Sequence, residues 1–588
     1  MKPQTHQDIL MKQTYKRLLT IQVLSSLSTF LGPLVDGIVV SNFLGSEYMA
    51  AFGIIIPITV FIGAVVNIFN AGSQNVAGKY LGQGKTDKLN RLLTCTVLWA
   101  SVIGLIITVI LVVFSRPIVA VLGAEGNTIE LCSDYVLAYA FGVIPSLLMP
   151  SLVGFLQLDN GGKTAVVSSV VLLVADIILD LLAVLVFKNG MYGIGLATTI
   201  SVILAVLVLL SHFAKKNISL RFTLKESVVK DLKKVVALGL PAATFLLCNS
   251  VRISVTNNII LDVSGLDSVA VFSIQNTFRP IAMAFTLGAG ITALLVCSVI
   301  SGEENRHSMN SEMNYILKLG LKISLGVTAV MLICAKYPFA IIFCIGKPDE
   351  FTNLVASVIR LFALSIPFSM INSIFIYYYQ SMRKMLLSAI ITVLQNVVYF
   401  LSAAKILSMF IGVDGVWMGY LVSETLTILT IIVISWVKNG HFPKTVHDLL
   451  LLPDSFGVSA ENRMNVTVST IDEAIGISEK ISEFCKGRGI SERSTLAASL
   501  CMEELAVIAM ENSEASNAYV DIFLSCKNGE LKIRMMDNSR PFDKKLLAGI
   551  PDENDPCANV GVRIVKGLAK EINYNVVLGM NAYSVIIQ

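Results

Sequence analysis

Three aspartates sit inside apolar sequence. Asp36 interrupts STFLGPLVDGIVVSNFLG (28–45), and Asp176 and Asp180 interrupt VADIILDLLAV (174–184). Each charge at the centre of a bilayer costs about 2.5–3.5 kcal/mol even on lenient insertion scales. The four-residue spacing of Asp176 and Asp180 puts both on one helical face, one above the other. Neighbouring carboxylates in a low dielectric cannot all ionise. Such a cluster is suited to taking up and releasing a proton or a small cation. The alternative is structural, with Asp180 near a helix end capping a neighbouring element. Pro33 removes a backbone donor three residues before Asp36 and predicts a bend there. A bend beside a titratable group would convert its charge state into movement; a static kink is the alternative.

These acids need spans to hold them. The chain has 588 residues, 54% hydrophobic and 15% charged, with mean hydropathy +0.73. A soluble protein of this length carries about 25% charged residues. Twelve apolar runs of spanning length lie near 18–42, 50–78, 90–114, 131–157, 165–187, 192–213, 236–262, 268–300, 313–335, 352–381, 386–410 and 413–437. The fold class is therefore an α-helical polytopic membrane protein. The first residues are polar, and the apolar stretch after them is too long for a cleavable signal peptide.

Lys2, Lys12, Lys16 and Arg17 precede run 1; Lys79, Lys85, Lys88 and Arg91 separate runs 2 and 3; Lys215, Lys216, Arg221, Lys225, Lys230, Lys233 and Lys234 separate runs 6 and 7; Arg383 and Lys384 separate runs 10 and 11. The loops between runs 1 and 2, 7 and 8, and 11 and 12 have no Lys or Arg. The excess of basic residues on one side predicts that both termini are cytoplasmic. A net charge of +4 gives no reason to expect a nucleic-acid partner. Ten cysteines without a CxxC pair read as reduced thiols, and five histidines in tails, loops and helix ends argue against a metal centre.

The membrane part repeats itself. SNFLGSEYMAAFGI (41–54) echoes LDVSGLDSVAVFSI (261–274), and GMYGIGLATTIS (190–201) echoes GVDGVWMGYLVS (412–423). An even number of spans per repeat relates the halves by an axis along the membrane normal, an arrangement in which one lobe rocks against the other. The lobes cover about 15–213 and 233–437. The offset places Thr256, Val398 and Ser402 opposite Asp36, Asp176 and Asp180, so the acid cluster belongs to the first half only. Arg252, Arg279 and Glu424 fall inside runs of the second half, lining a cavity or pairing with each other.

Residues 438–463 read as a linker and 464–588 as a soluble α/β domain: strand, two helices, a hairpin turning at Asn528-Gly529, a loop, a helix and two more strands. GQGKT (82–86) and GGKT (161–164) resemble the end of a phosphate-binding loop, but the upstream glycine is Lys79 in one and Gln157 in the other, and both follow membrane runs.

The stretches PLVDGIVVSNFLGSEYMAAFGI, AGSQNVAGKYLGQGKTDKLNRLL and LVADIILDLLAV…GMYGIGLATTIS resemble the multidrug and toxic compound extrusion (MATE) transporters, over residues 15–437. The resemblance implies twelve helices in two six-helix lobes around a V-shaped cavity. It implies exchange of protons or sodium inward for organic, often cationic, drugs outward, with no other cofactor. In the branch that couples through the first lobe, the site is an Asp on helix 1, an Asn and an Asp one turn apart on helix 5, and a Thr on helix 6. Asp36, Asp180 and Thr198 match; Asp176 stands where the Asn would be, adding an acid. The C-terminal domain resembles the GHKL-type (Bergerat) ATP-binding domains of anti-sigma-factor serine kinases and histidine kinases, through EEL on its second long helix and DNSRPFD after the hairpin. The resemblance makes Glu504 the general base, Asp537 the reader of the adenine amino group and Gly561 part of the glycine motif. Ile508 replaces the magnesium-binding Asn, Ser539 a glycine, and Asn559 another. Isoleucine has no oxygen for magnesium, so a degenerate domain is expected, one that regulates, contacts a cytoplasmic protein, or binds ATP without catalysis.

The expected protein is thus a cation-coupled exporter in a bacterial cytoplasmic membrane, not an enzyme. Two alternatives are a flippase for lipid-linked precursors, which the second-half arginines would suit, and a membrane-tethered kinase or anti-sigma-like sensor, against which Ile508 speaks.

Overall fold

The computed structural model describes residues 7–159, 161–214, 220–223, 229–264, 266–340, 349–453, 456–458, 460–512, 519–527, 530–539, 560–577 and 580–587. Its first part is a helical bundle: α1 (Gln7–Val39), α2 (Ser46–Gly82), α3 (Thr86–Val121), α4 (Asn127–Ala140), α5 (Val143–Leu158), α6 (Gly162–Leu185), α7 (Gly190–Leu210), α8 (Val229–Ser264), α9 (Leu266–Glu303), α10 (Arg306–Cys334), α11 (Asp349–Ser381), α12 (Met385–Ile411) and α13 (Val413–Asn439). Among the described residues eleven helices are long and apolar enough to cross a membrane, and the bent pair α4 and α5 makes a twelfth. Helices fit this setting because each closes its own backbone hydrogen bonds where water is absent.

The fourth apolar run is not one straight helix; α4 and α5 meet at 47°. The carbonyls freed at the break find donors on other helices. Thr199 Oγ1 of α7 donates to Ala138 O and Thr108 Oγ1 of α3 donates to Ala140 O, both at 2.8 Å. Such replacement is what lets a span break inside a bundle. In span 1, α1 continues through Pro33 without interruption. The winding loosens later, in a π-helical turn at Val40–Leu44. Span 11 carries a similar turn at Leu394–Tyr399.

The sequence repeat has a backbone counterpart. Gly190 (φ +53°) opens α7 and Gly412 (φ +63°) opens α13, at equivalent places in the two echoes. Both positions use the left-handed region that glycine enters without cost.

The first half meets the second mainly through α1 and α2, packed on α8 and α9. Missing side chains allow this contact. A Cβ on Gly72 would run into the backbone carbonyl of Val235, and one on Gly239 into that of Ile68. At one end of the bundle, Gly82 lies equally close to Val299 O and Gly302 to Lys79 O, so α2 and α9 touch backbone to backbone.

Beyond α13 the chain stays attached to that end. Tyr378 and Tyr379 hydroxyls donate to the carbonyls of Leu450 (3.0 Å) and Leu449 (2.8 Å), Lys384 Nζ donates to Leu451 O (2.5 Å), and Arg306 reaches Pro453 and Phe456 carbonyls. The segment read as a linker is therefore strapped down along its middle, where a short helix α14 (Val446–Leu449) carries a Thr445–Asp448 capping box.

The C-terminal part follows the expected order: β1 (Arg463–Val468), α15 (Ile471–Ile475), α16 (Ile477–Lys486), α17 (Glu492–Glu511), β2 (Val520–Lys527), β3 (Glu530–Asp537), α18 (Val560–Leu568), β4 (Glu571–Val577) and β5 (Met580–Ile587). The predicted Asn528-Gly529 turn lies outside the described residues. The five strands form one antiparallel sheet ordered β1-β2-β3-β5-β4. Alternation along β3 sorts its side chains. Leu531, Ile533 and Met535 are buried against the helices with Ile477, Cys501 and Leu505. Lys532 and Arg534 point the other way, to the end of the bundle where α2 and α9 touch. Arg534 Nη1 pairs with Glu303 Oε1 at 2.6 Å, and Gly82, Gly84, Glu303, Lys532 and Arg534 border a cavity of about 480 Å³. Burial and the adjacent Arg534 guanidinium hold the Lys532 ammonium below the ordinary lysine range.

Candidate functional site

The structure brings the three aspartates together. Asp36 comes from α1, and Asp176 and Asp180 from α6, which packs on α1. They are 2%, 5% and 0% exposed. The Asp36 and Asp180 carboxyls face each other within hydrogen-bond reach. Asp36 Oδ1 and both Asp180 oxygens receive no other donor. Asp176 is held differently: Ser201 Oγ on α7 donates to its Oδ1 at 2.9 Å. Its Oδ2 occupies the space left by Gly32, where a Cβ would lie 3.0 Å away. Tyr135 and Tyr139 of α4 stack at 5.7 Å. Among the described residues, no three His, Cys, Asp or Glu side chains converge as they would on a metal ion. The arrangement is a carboxyl pair with a third carboxyl alongside.

Thr198 lies on α7, three residues before Ser201. Its hydroxyl donates within its own helix to Ile194 O at 3.3 Å. The hydroxyl that reaches an acid belongs to Ser201, three residues further on. Pro33 lies one turn from Asp36 on an exposed face of α1.

The second half holds a cavity of about 740 Å³ among α8, α9, α11, α12 and α13. Arg252, Arg279 and Glu424 all line it. They do not pair: Glu424 Oε2 accepts from Asn372 Nδ2 and Gln395 Nε2, both at 2.7 Å. The guanidiniums converge instead on one neutral acceptor, Asn249 Oδ1, at 2.7 Å from Arg252 and 2.8 Å from Arg279. Arg252 also lies over the rings of Phe400 (5.2 Å) and Tyr420 (5.4 Å).

In the C-terminal domain, Asp537 ends β3 and is 1% exposed. Its Oδ1 accepts from Ser539 N (2.9 Å), Ser539 Oγ (2.5 Å) and Asn581 Nδ2 (2.7 Å). Register explains Asn581, which pairs with Asp537 across β3 and β5. Asp537 Oδ2 is buried without a donor. Burial pushes this carboxyl above the usual range, against the pull of the Ser539 and Asn581 bonds. Glu504 and Ile508 sit one turn apart on α17, both half-buried, and Gly561 lies in α18.

Sequence reasoning missed Gly32, Tyr135, Tyr139, Ser201 and Asn581. The last two share a cause: their partners lie on other elements, and only the packing of α7 on α6, or the β3–β5 register, brings them into reach.

Comparison with known proteins fits this architecture. Over 441 residues the chain is 22% identical to the multidrug export protein MepA of Staphylococcus aureus (strain bovine RF122 / ET3-1), a match spanning 72% of this chain and 95% of that one. MepA of Staphylococcus haemolyticus is 23% identical over 419 residues, 68% of this chain and 89% of that one. Among solved structures, an outward-facing multidrug-resistance MATE transporter of the MOP superfamily superposes with a TM-score of 0.68 at 21% identity, covering 71% of this chain and 94% of its own. The MatE family model matches residues 22–182 and 241–404, one stretch in each half of the bundle; the five-stranded sheet lies outside it. With more than half of its length matched, this chain belongs to the MatE family of membrane transporters, which are secondary transporters and not enzymes.

Proposed function

We propose that the chain exports organic compounds across a bacterial cytoplasmic membrane, driven by inward movement of protons, with Asp36, Asp180 and Asp176 as the coupling site. The observation that carries this reading is the Asp36–Asp180 contact. Two buried carboxyls that face each other, with Asp36 Oδ1 and both Asp180 oxygens given no other donor, are stable only with a shared proton or a bound cation between them. Asp176 stands where the family pattern has a neutral amide. Held by Ser201, it adds a second acceptor for the proton to move to. Kinship with proteins named multidrug export proteins supports organic compounds as cargo.

The basic loops support a reading in which both termini, and so the five-stranded domain, are on the cytoplasmic side. That domain is read as a GHKL-like fold that has lost catalysis and regulates transport. Support comes from its strand order with helices on one face, from the buried Asp537, and from Ile508 one turn past Glu504.

The test is uptake of a fluorescent organic compound into inverted vesicles under an imposed proton or sodium gradient, comparing the wild type with Asp36→Asn. Uptake driven by the proton gradient and lost in the variant supports the reading. Uptake driven only by sodium reassigns the ion, and uptake that survives the substitution moves coupling away from Asp36.

A further inference from the structure

We propose that the second-half cavity is a recognition site for the carboxylate of an amphipathic organic solute, with Arg252 and Arg279 as its clamp. This rests on the reading of the chain as an exporter of organic compounds and names the class of compound. Three charged side chains line the cavity: Arg252, Arg279 and Glu424. The two arginines are 4% and 5% exposed. A buried guanidinium is costly unless an anion or several acceptors satisfy it. Neither arginine has an ion pair among the described residues, and the acceptor they share, Asn249 Oδ1, is neutral. Arg252 Nε is buried without a partner. Glu424 is spent on two amides, Asn372 and Gln395.

The cavity therefore presents two fixed cations, aligned by one asparagine, with donor capacity left over. A guanidinium offers paired N–H groups that fit the two oxygens of a carboxylate. Phe245, Phe362 and Tyr377 line the same space and offer an apolar wall to an aromatic or alkyl body. The compound that fits best is amphipathic with one carboxylate. A purely cationic compound would meet two like charges at this end of its path.

The experiment measures binding without any gradient, so a failure of coupling at Asp36 leaves the result untouched. Full-length protein in an uncharged detergent is titrated with rhodamine B, which has a free carboxylate, and with its ethyl ester, which lacks that charge and adds an ethyl group. Fluorescence anisotropy reads binding. We expect rhodamine B to bind roughly tenfold more tightly than the ester, the scale of a charge-assisted bidentate contact. Arg252→Gln and Arg279→Gln should each bring the ratio close to one, while Arg279→Lys keeps part of the preference. Equal binding of both dyes to the wild type overturns the proposal whatever the variants do. A preference unchanged in well-behaved Gln variants also overturns it. Displacement of rhodamine B by phosphatidylglycerol, but not by octanoate, assigns the clamp to a lipid headgroup and overturns the solute reading.

Discussion

Glu303, the last residue of α9, and Arg534, in the middle of β3, form an ion pair at 2.6 Å with side chains only 9% and 12% exposed. It joins the transporter bundle to the outer face of the C-terminal sheet. Truncating or reversing one partner of a desolvated, hydrogen-bonded charge pair costs about 2–5 kcal/mol. Docking can be read by a disulfide: a Cβ on Gly84 would lie 3.8 Å from the Cβ of Ser584, inside the range for a bridge. We expect Gly84→Cys with Ser584→Cys to cross-link under mild oxidation, detected by mass spectrometry of the joined peptides. Adding Arg534→Glu should reduce the yield to background, and adding Glu303→Arg as well should restore it. Full cross-linking in the Arg534→Glu protein would show that the ion pair does not hold the sheet in place.

Ser201 and Thr198 make opposite forecasts. Ser201→Ala removes the donor to Asp176 Oδ1 and leaves a buried carboxylate oxygen without it, a loss of about 1–3 kcal/mol. Thr198→Ala removes only a bond to Ile194 O within the same helix. The expected order in thermal-stability and vesicle-uptake measurements is therefore Ser201→Ala well below Thr198→Ala, which stays near the wild type. The reverse order would put the functional hydroxyl at Thr198.

At Gly72 the seam between the halves has no space for a Cβ. Gly72→Ala would press a methyl into the carbonyl of Val235. Overpacking of this kind costs about 1–3 kcal/mol. At Gly53, on the same helix, a Cβ would meet nothing within 4 Å. Gly53→Ala should therefore be neutral, or slightly stabilising through helix propensity. Unfolding temperatures in detergent separate the two.

Asp537 gives the C-terminal sheet a pH dependence of definite sign. Its folded carboxyl is raised by burial, so between the ordinary Asp value of about 3.9 and the raised one the folded state holds a proton that the unfolded state has lost. Its contribution to stability is complete below the unfolded value and falls as pH climbs through the folded one. Hydrogen exchange of β3 and β5 amides, corrected for intrinsic rates, should show protection falling over that window in the wild type. In Asp537→Asn the fall should be smaller.

Much of this molecule is legible in its sequence, for identifiable reasons. Asp36, Asp176 and Asp180 stand out because a charge in an apolar run needs a purpose. The C-terminal strands and helices follow from periodicity and turn chemistry. The break between α4 and α5 does not, because what permits it is a pair of hydroxyls, Thr108 and Thr199, on two other helices. The helix runs on through Pro33, while a π-helical turn sits at Val40–Leu44, where no residue type announces it. Arg252 and Arg279 were visible as charges, but their convergence on Asn249 needed the α8–α9 packing. The contact between Glu303 and Arg534 joins parts of the chain with no local pattern between them.

The strap at Leu449–Phe456 sets the reach of the domain that follows it. A free linker from Asn439 to Arg463 would let the sheet wander about 25–30 Å from the end of α13. With Tyr378, Tyr379, Lys384 and Arg306 holding its middle, only the stretch from Phe456 to Arg463 is left as tether, about 15 Å if fully flexible. An undocked sheet would then stay at millimolar-scale effective concentration, about the level short tethers give, over the surface it left. Soluble competitors for that surface would have to match that concentration, so the domain behaves as a permanent resident whose docking is set by local affinity and hardly at all by how much protein a cell makes.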